Sequence, residues 1–221
     1  MHPTVIFFEL GYIFNIVGIL ILILQIRQKR HIEGISFFTQ ILNTVGVYVK
    51  IFYFPNTVLV DYWFCWAEFL ASMGLTAYLM YLMTVHKRIS FNKEQNFWDY
   101  RILLGVSLLL AVISNYEKKQ TFEWSQLAIR YAIIVEAAAL LPQLRLMKIE
   151  KFVTRNFGYY LVAISLSRLA RVFFWVYQFA DNYGSDTYYT LIAADLLYII
   201  LTADFIYNFI KHRNSTLIPY S

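Results

Sequence analysis

Charged side chains recur inside runs of residues that are otherwise apolar enough to cross a bilayer. Lys50, Glu136, Arg168 and Asp204 sit in such runs, together with Glu9, Glu68, Arg130, Arg171 and Asp195. An Asp, Lys or Arg at mid-membrane costs about 2.5–3.5 kcal/mol even on lenient insertion scales, so these side chains must be paired or wetted inside a bundle. The constraint predicts a helical membrane protein with a polar interior seam.

Crossing a hydrocarbon core of about 30 Å takes about 20 helical residues. By that rule the apolar runs predict helices at 4–25, 36–54, 60–84, 100–115, 123–146, 157–179 and 187–210. Composition agrees: 59% of the 221 residues are hydrophobic and the mean hydropathy is +0.52, against about 45–50% apolar in soluble domains. Many of the 18 Tyr, 19 Phe and 5 Trp fall near the ends of the runs, as in the aromatic belts of membrane interfaces. With only 8 Gly and 4 Pro and no low-complexity linker, residues 1–221 read as a single domain. The first run lacks a basic leader and a small-residue cleavage site, so it is expected to be a span rather than a signal peptide. Cys65 is the sole cysteine, which excludes an internal disulfide.

Loop charge sets the expected orientation. Arg27, Lys29 and Arg30 follow the first run, Lys87, Arg88, Lys93 and Arg101 the third, Arg145, Lys148, Lys151 and Arg155 the fifth, and Lys211 and Arg213 the seventh. These are 13 of the 19 basic residues. The opposite side holds Lys118 and Lys119, while Pro55-Asn56-Thr57 and 180–187 carry none. The positive-inside rule then puts the N-terminus on the non-cytosolic side and the C-terminus in the cytosol. Short basic juxtamembrane loops imply anionic lipid as partner, and nucleic acid is not implied.

A shift of 118 residues lays Gln25 on Gln143, Arg27 on Arg145, Ser36 on Thr154 and Lys50 on Arg168. The expected fold is therefore an all-α membrane protein. Its seven transmembrane helices form two parallel three-helix repeats, about 4–84 and 123–210, joined by a linker helix at about 100–115. In transporters built this way the binding site falls between the halves near the midplane.

Three segments carry a family resemblance: Gly34-Ile35-Ser36 with Gln40; Glu136 with Pro142-Gln143-Leu144; and Ala203-Asp204-Phe205-Ile206-Tyr207. Together they resemble the KDEL receptors, the ER lumen protein-retaining receptors; the Pro-Gln pair is also shared with PQ-loop proteins and SWEET sugar transporters. The resemblance implies a receptor that binds the C-terminal retrieval peptide of escaped ER proteins in a luminal cavity. Binding is stronger at Golgi pH, and release follows in the ER. It implies binding roles for Glu136, Arg168 and Trp175 at matching positions, and for Lys50 where the family has an arginine. Several positions depart from the pattern. Phe8 stands at a carboxylate-clamping arginine, Asn15 at a proton-sensing histidine, and Tyr53 at an aspartate for the peptide lysine. Ser167 and Arg171 replace tyrosines, Phe174 an asparagine and Gln178 an arginine. The tail 211–221 lacks the lysine cluster used in coat-dependent return.

Each candidate also has a plainer structural reading. Glu136 with Arg168 is either a protonation-sensitive pair in a cavity or a fixed salt bridge between two helices. Lys50 either clamps a carboxylate, pairs, or snorkels. Arg168 and Arg171 lie one turn apart and need anions, for which Glu68, Asp195 and Asp204 are candidates; a carboxylate or lipid phosphate is the alternative partner. Asp204, Pro142 and Gln143 are expected to be structural, Pro142 as a bend or hinge. The four His (2, 31, 86, 212) show no ligand spacing and no phosphate loop or nucleophile elbow occurs, so neither enzyme, cofactor nor metal site is expected. Three functions remain open: a receptor of ER and Golgi, a structural subunit of a larger membrane assembly such as one of the mitochondrial inner membrane, and a PQ-loop-type solute transporter.

Overall fold

Apolar length again organises the chain in the computed structural model, which describes residues 3–29, 34–54, 63–85, 99–115, 124–150, 152–181, 186–211 and 217–219. Seven helices form among these residues. They are α1 (Pro3–Lys29), α2 (Phe37–Val49, run on by a 3₁₀ turn Lys50–Phe52), α3 (Trp63–Val85), α4 (Tyr100–Asn115), α5 (Trp124–Ala138, resumed as Leu140–Glu150), α6 (Arg155–Asp181) and α7 (Asp186–Lys211). Five stretches are long and apolar enough to span a membrane: Val5–Gln28, Trp63–Val85, Trp124–Ile149, Arg155–Ala180 and Tyr188–Lys211. The apolar stretches Phe37–Phe52 and Tyr100–Asn115 are shorter. At 1.5 Å per residue such a stretch reaches about 24 Å, below the roughly 30 Å of hydrocarbon. The expected helix 36–54 is thus shortened, because its last turn tightens before Pro55, a residue that disfavours helix in front of it.

Local chemistry explains the ends and the break. Ser36 caps α2, its Oγ accepting from Thr39 N at 3.1 Å, which satisfies one of the orphan donors of a helix start. In α5 Pro142 has no N–H to offer the carbonyl of residue 138, and the helix is interrupted at Ala139.

Two glutamines fix how the helices cross. Gln143 of α5 is buried; its Oε1 accepts from Ser36 N and its Nε2 donates to Gly34 O, both at 2.8 Å. Gly34 has φ 79°, a left-handed conformation natural to glycine. Gln25 of α1, also buried, donates to Thr154 Oγ1 at 3.0 Å just before α6. These are positions that the 118-residue shift superposes, so each glutamine pins the start of the helix beyond the opposite one. Around them Leu22, Ile26, Ile35, Met83, Phe157 and Phe205 are among the most deeply buried apolar side chains.

That end of the bundle also gathers Arg27, Lys148, Arg155 and Lys211 at helix termini, with Arg145 a little further inside α5. Arg30, Lys87, Arg88, Lys93, Lys118, Lys119, Lys151 and Arg213 lie outside the described residues, as do Pro55-Asn56-Thr57 and the four His. One feature escapes the all-helical expectation. Phe152–Thr154 (β1) pairs antiparallel with Leu217–Pro219 (β2), Val153 opposite Ile218, so the tail folds back beside the start of α6.

Candidate functional site

Mid-bundle, the helices converge on one carboxylate. Glu136 of α5, 4% exposed, accepts from Lys50 Nζ of α2 at 2.7 Å on Oε1. Its Oε2 accepts from Arg168 NH1 at 2.7 Å and Arg171 NH1 at 2.6 Å, both from α6. Access for Glu136 depends on a small residue in α2: a Cβ at Gly46 would lie 2.5 Å from Glu136 Cγ and 3.2 Å from Ala132 O.

A second carboxylate completes the network. Asp195 of α7 is fully buried. It accepts from Arg168 NH1 (3.2 Å), from Arg171 through both Nε (3.2 Å) and NH2, and from Trp175 Nε1 (3.3 Å). Arg168, Arg171 and Trp175 reach it together because spacings of three and four residues keep them on one face of α6. The Arg168 guanidinium lies 4.8 Å over the Tyr198 ring and Lys50 Nζ 5.7 Å from the Tyr12 ring, distances at which cation–π attraction adds about 0.5–2 kcal/mol.

The described ion pairs thus set three cations against two carboxylates. Each ion in such a network is desolvated at a cost of several kcal/mol, offset only by close partners. Lys50, at 8% exposure, is paired rather than snorkelled.

Of the three carboxylates proposed for the two arginines, Asp195 is the partner. Glu68 and Asp204 stand apart. Glu68 Oε2 is buried without a hydrogen-bond partner. Asp204 is exposed on α7 and accepts from Asn208 Nδ2 at 3.5 Å. Glu9 is half-buried on α1 and Arg130 buried on α5.

Aromatic rings form a layer one turn from the charges, toward the end of the bundle where the chain begins. Phe8 stands one turn from Tyr12, Phe54 one turn from Lys50, and Phe174 one turn from Arg171. Phe8 meets Phe174 at 5.7 Å, Phe174 meets Trp175 at 4.7 Å, and Phe54 stacks on Phe69 at 4.7 Å and meets Trp66 edge-on at 4.8 Å. Several departures from the family pattern therefore touch one another or a local partner. Phe8 packs on Phe174, Arg171 binds Asp195, Asn15 Nδ2 donates to Ser72 Oγ at 3.1 Å, and Ser167 Oγ donates to Gly11 O at 2.6 Å.

Between α1, α2, α3, α5 and α6 lies a cavity of about 40 Å³, lined by Lys50, Glu136, Arg168 and Arg171 with Asn15, Gln40, Asn43 and Tyr160. Gln40 Nε2 donates to Tyr160 Oη at 3.3 Å. Ligand pockets commonly hold about 300–1,000 Å³, so this cavity is far smaller than a peptide site.

Lys50, Glu136, Arg168, Arg171 and Trp175 of this cluster lie within a stretch matched by a known family, and Asp195 lies beyond it. The model described as "ER lumen protein retaining receptor" matches residues 31–178. A protein of Drosophila melanogaster named ER lumen protein-retaining receptor is 30% identical over 204 residues, covering 90% of this chain and 91% of the fly protein. Relatives of the same name from Caenorhabditis briggsae and Saccharomyces cerevisiae are each 29% identical. The nematode alignment covers 203 residues (88% of this chain, 87% of the relative) and the yeast alignment 210 (90% of each). Near-complete coverage, long apolar helices and the Glu136–Gln143 segment on one broken helix agree, and the chain belongs to the ER lumen protein retaining receptor family as a divergent integral membrane member.

Proposed function

We propose that the protein is a retrieval receptor of ER and Golgi membranes. It captures a luminal C-terminal peptide by its terminal carboxylate at the cluster of Lys50, Glu136, Arg168 and Arg171, with Trp175 beside it, for return from Golgi to ER. The carrying observation is the surplus of one cation in the buried ion pairs. A peptide carboxylate cancels that surplus through charge-assisted hydrogen bonds. Crossings by Gln25 and Gln143 support a seven-span arrangement of two parallel repeats about α4, with the site between the halves. Basic helix termini at the far end support a luminal mouth at the aromatic layer.

Because the cavity is that small, binding requires the helices around it to move apart. With Tyr53 and Gln178 in place of charged groups, the preferred peptide differs from the family's retrieval signal. A second reading, a structural subunit, is favoured by one observation: Asp195 already fills the Arg171 fork.

Calorimetric titration of the purified full chain with C-terminal tetrapeptides, as free acids and as amides, at acidic and neutral pH, tests the proposal. Saturable binding of a free acid with loss on amidation is expected. Equal heats for acid and amide, or none from any peptide, would remove the receptor reading.

A further inference from the structure

The small cavity poses a problem separate from any peptide. Its walls carry Lys50, Arg168 and Arg171 but only one carboxylate, Glu136; Asp195 is not among the lining residues. Counting Asp195, the described ion pairs still leave one positive charge in excess, on side chains no more than 15% exposed. An uncompensated buried charge is strongly destabilising.

Space and donors for a counter-ion are both present. The volume of about 40 Å³ suits a small ion accompanied by water, since each water-sized occupant needs about 10–15 Å³. Around it, Lys50, Arg168 and Arg171 bring positive charge, Asn43 brings an amide group, and Tyr12 and Tyr160 bring hydroxyls, while Asn15 Nδ2 is already given to Ser72 Oγ. Three cations against one lining carboxylate, with amides and hydroxyls that can turn a donor inward, make a wall suited to an anion.

We propose that this cavity is a binding site for one small monovalent anion of halide size, which neutralises the cluster while no larger carboxylate is bound. The anion sits between α1, α2, α5 and α6 and ties them together through the charges it touches. The inference stands on the ion count and the cavity, and it holds whether or not the chain takes a peptide.

The test uses bromide and chloride as probes on the full chain. Crystals of the purified protein grown with bromide are expected to show an anomalous peak in the cavity, near Lys50 Nζ and the Arg168 guanidinium. In solution, replacing gluconate by chloride at constant ionic strength is expected to raise the apparent Tm saturably, by about 2–4 °C once chloride exceeds its Kd several-fold. Lys50→Gln removes the surplus charge and is expected to abolish that shift; Arg101→Gln, on the exposed surface of α4, is expected to keep it. Water-only density without a bromide peak, or identical melting in chloride and gluconate, overturns the proposal. So does a chloride response that survives in Lys50→Gln. Should Lys50→Gln fail to fold, the bromide peak in the unaltered chain decides.

Discussion

Replacing Glu136 by Gln perturbs the site at its centre. The carboxylate accepts from three cations at 2.6–2.7 Å, so the amide leaves Lys50, Arg168 and Arg171 facing Asp195 alone. The net charge of the cluster rises from +1 (three cations, two carboxylates) to +2. Removing one partner of a buried ion pair costs about 3–5 kcal/mol. At roughly 2–4 °C per kcal/mol for a chain of this size, the apparent Tm in detergent falls by about 6–20 °C. A double-mutant cycle makes the origin specific. Glu136→Gln with Lys50→Gln restores a charge of +1, so the double variant is expected to melt above Glu136→Gln alone. Its interaction energy should lie within the roughly 0.5–3 kcal/mol found for residues in one network. A Glu136→Gln chain that melts with the parent, or strictly additive losses in the cycle, would refute the reasoning.

Three further outcomes are expected. Gln143→Leu orphans both Ser36 N–H and Gly34 C=O, costing about 2–6 kcal/mol at 1–3 kcal/mol per lost partner; hydrogen exchange should accelerate at residues 34–36, and unchanged exchange counts against the pin. Gly46→Ala forces α2 from Glu136 and costs about 1–3 kcal/mol by overpacking. Gly74→Ala, with nothing within 4 Å of its Cβ, should instead gain about 0.5–1 kcal/mol in thermal melting; equal effects at the two positions would contradict the close approach. Asp195→Asn removes the acceptor of the Arg171 fork and should lower the apparent Tm, while Asp204→Asn, on the exposed face, should shift it by no more than about 0.5 kcal/mol.

Much of the helical layout was legible because length and apolarity are properties of a segment alone. Spans around 4–25, 60–84, 157–179 and 187–210 match α1, α3, α6 and α7 to within a few residues. Pro142 announced a disturbance in α5, although the interruption falls at Ala139, where the missing N–H is felt. Most of the charges that must be buried were also legible, since lipid penalises each wherever its helix lies; Asp204, expected inside the bundle, is instead exposed on α7, with Asn208 one turn on as its polar neighbour. Pairing was not. Whether Arg168 and Arg171 would meet Glu68, Asp195 or Asp204 depends on how α7 rotates against α6, and a helix sequence does not fix its neighbour's rotation. The nearest signal was the demand of two cations one turn apart for more than one carboxylate. The aromatic layer was hidden for a similar reason: Phe8, Phe54 and Phe174 come from three helices. The β1–β2 ribbon rests on three residues a side, too few for an alternating pattern to register.

The most direct test is an experimental map of the full chain in a lipid nanodisc at side-chain resolution. The account predicts the Glu136 carboxylate in the bundle interior, within hydrogen-bonding distance of Lys50, Arg168 and Arg171, with Asp195 gripping Arg171 from α7. A map with Glu136 and Arg168 turned to the lipid-facing perimeter and out of each other's reach would contradict it.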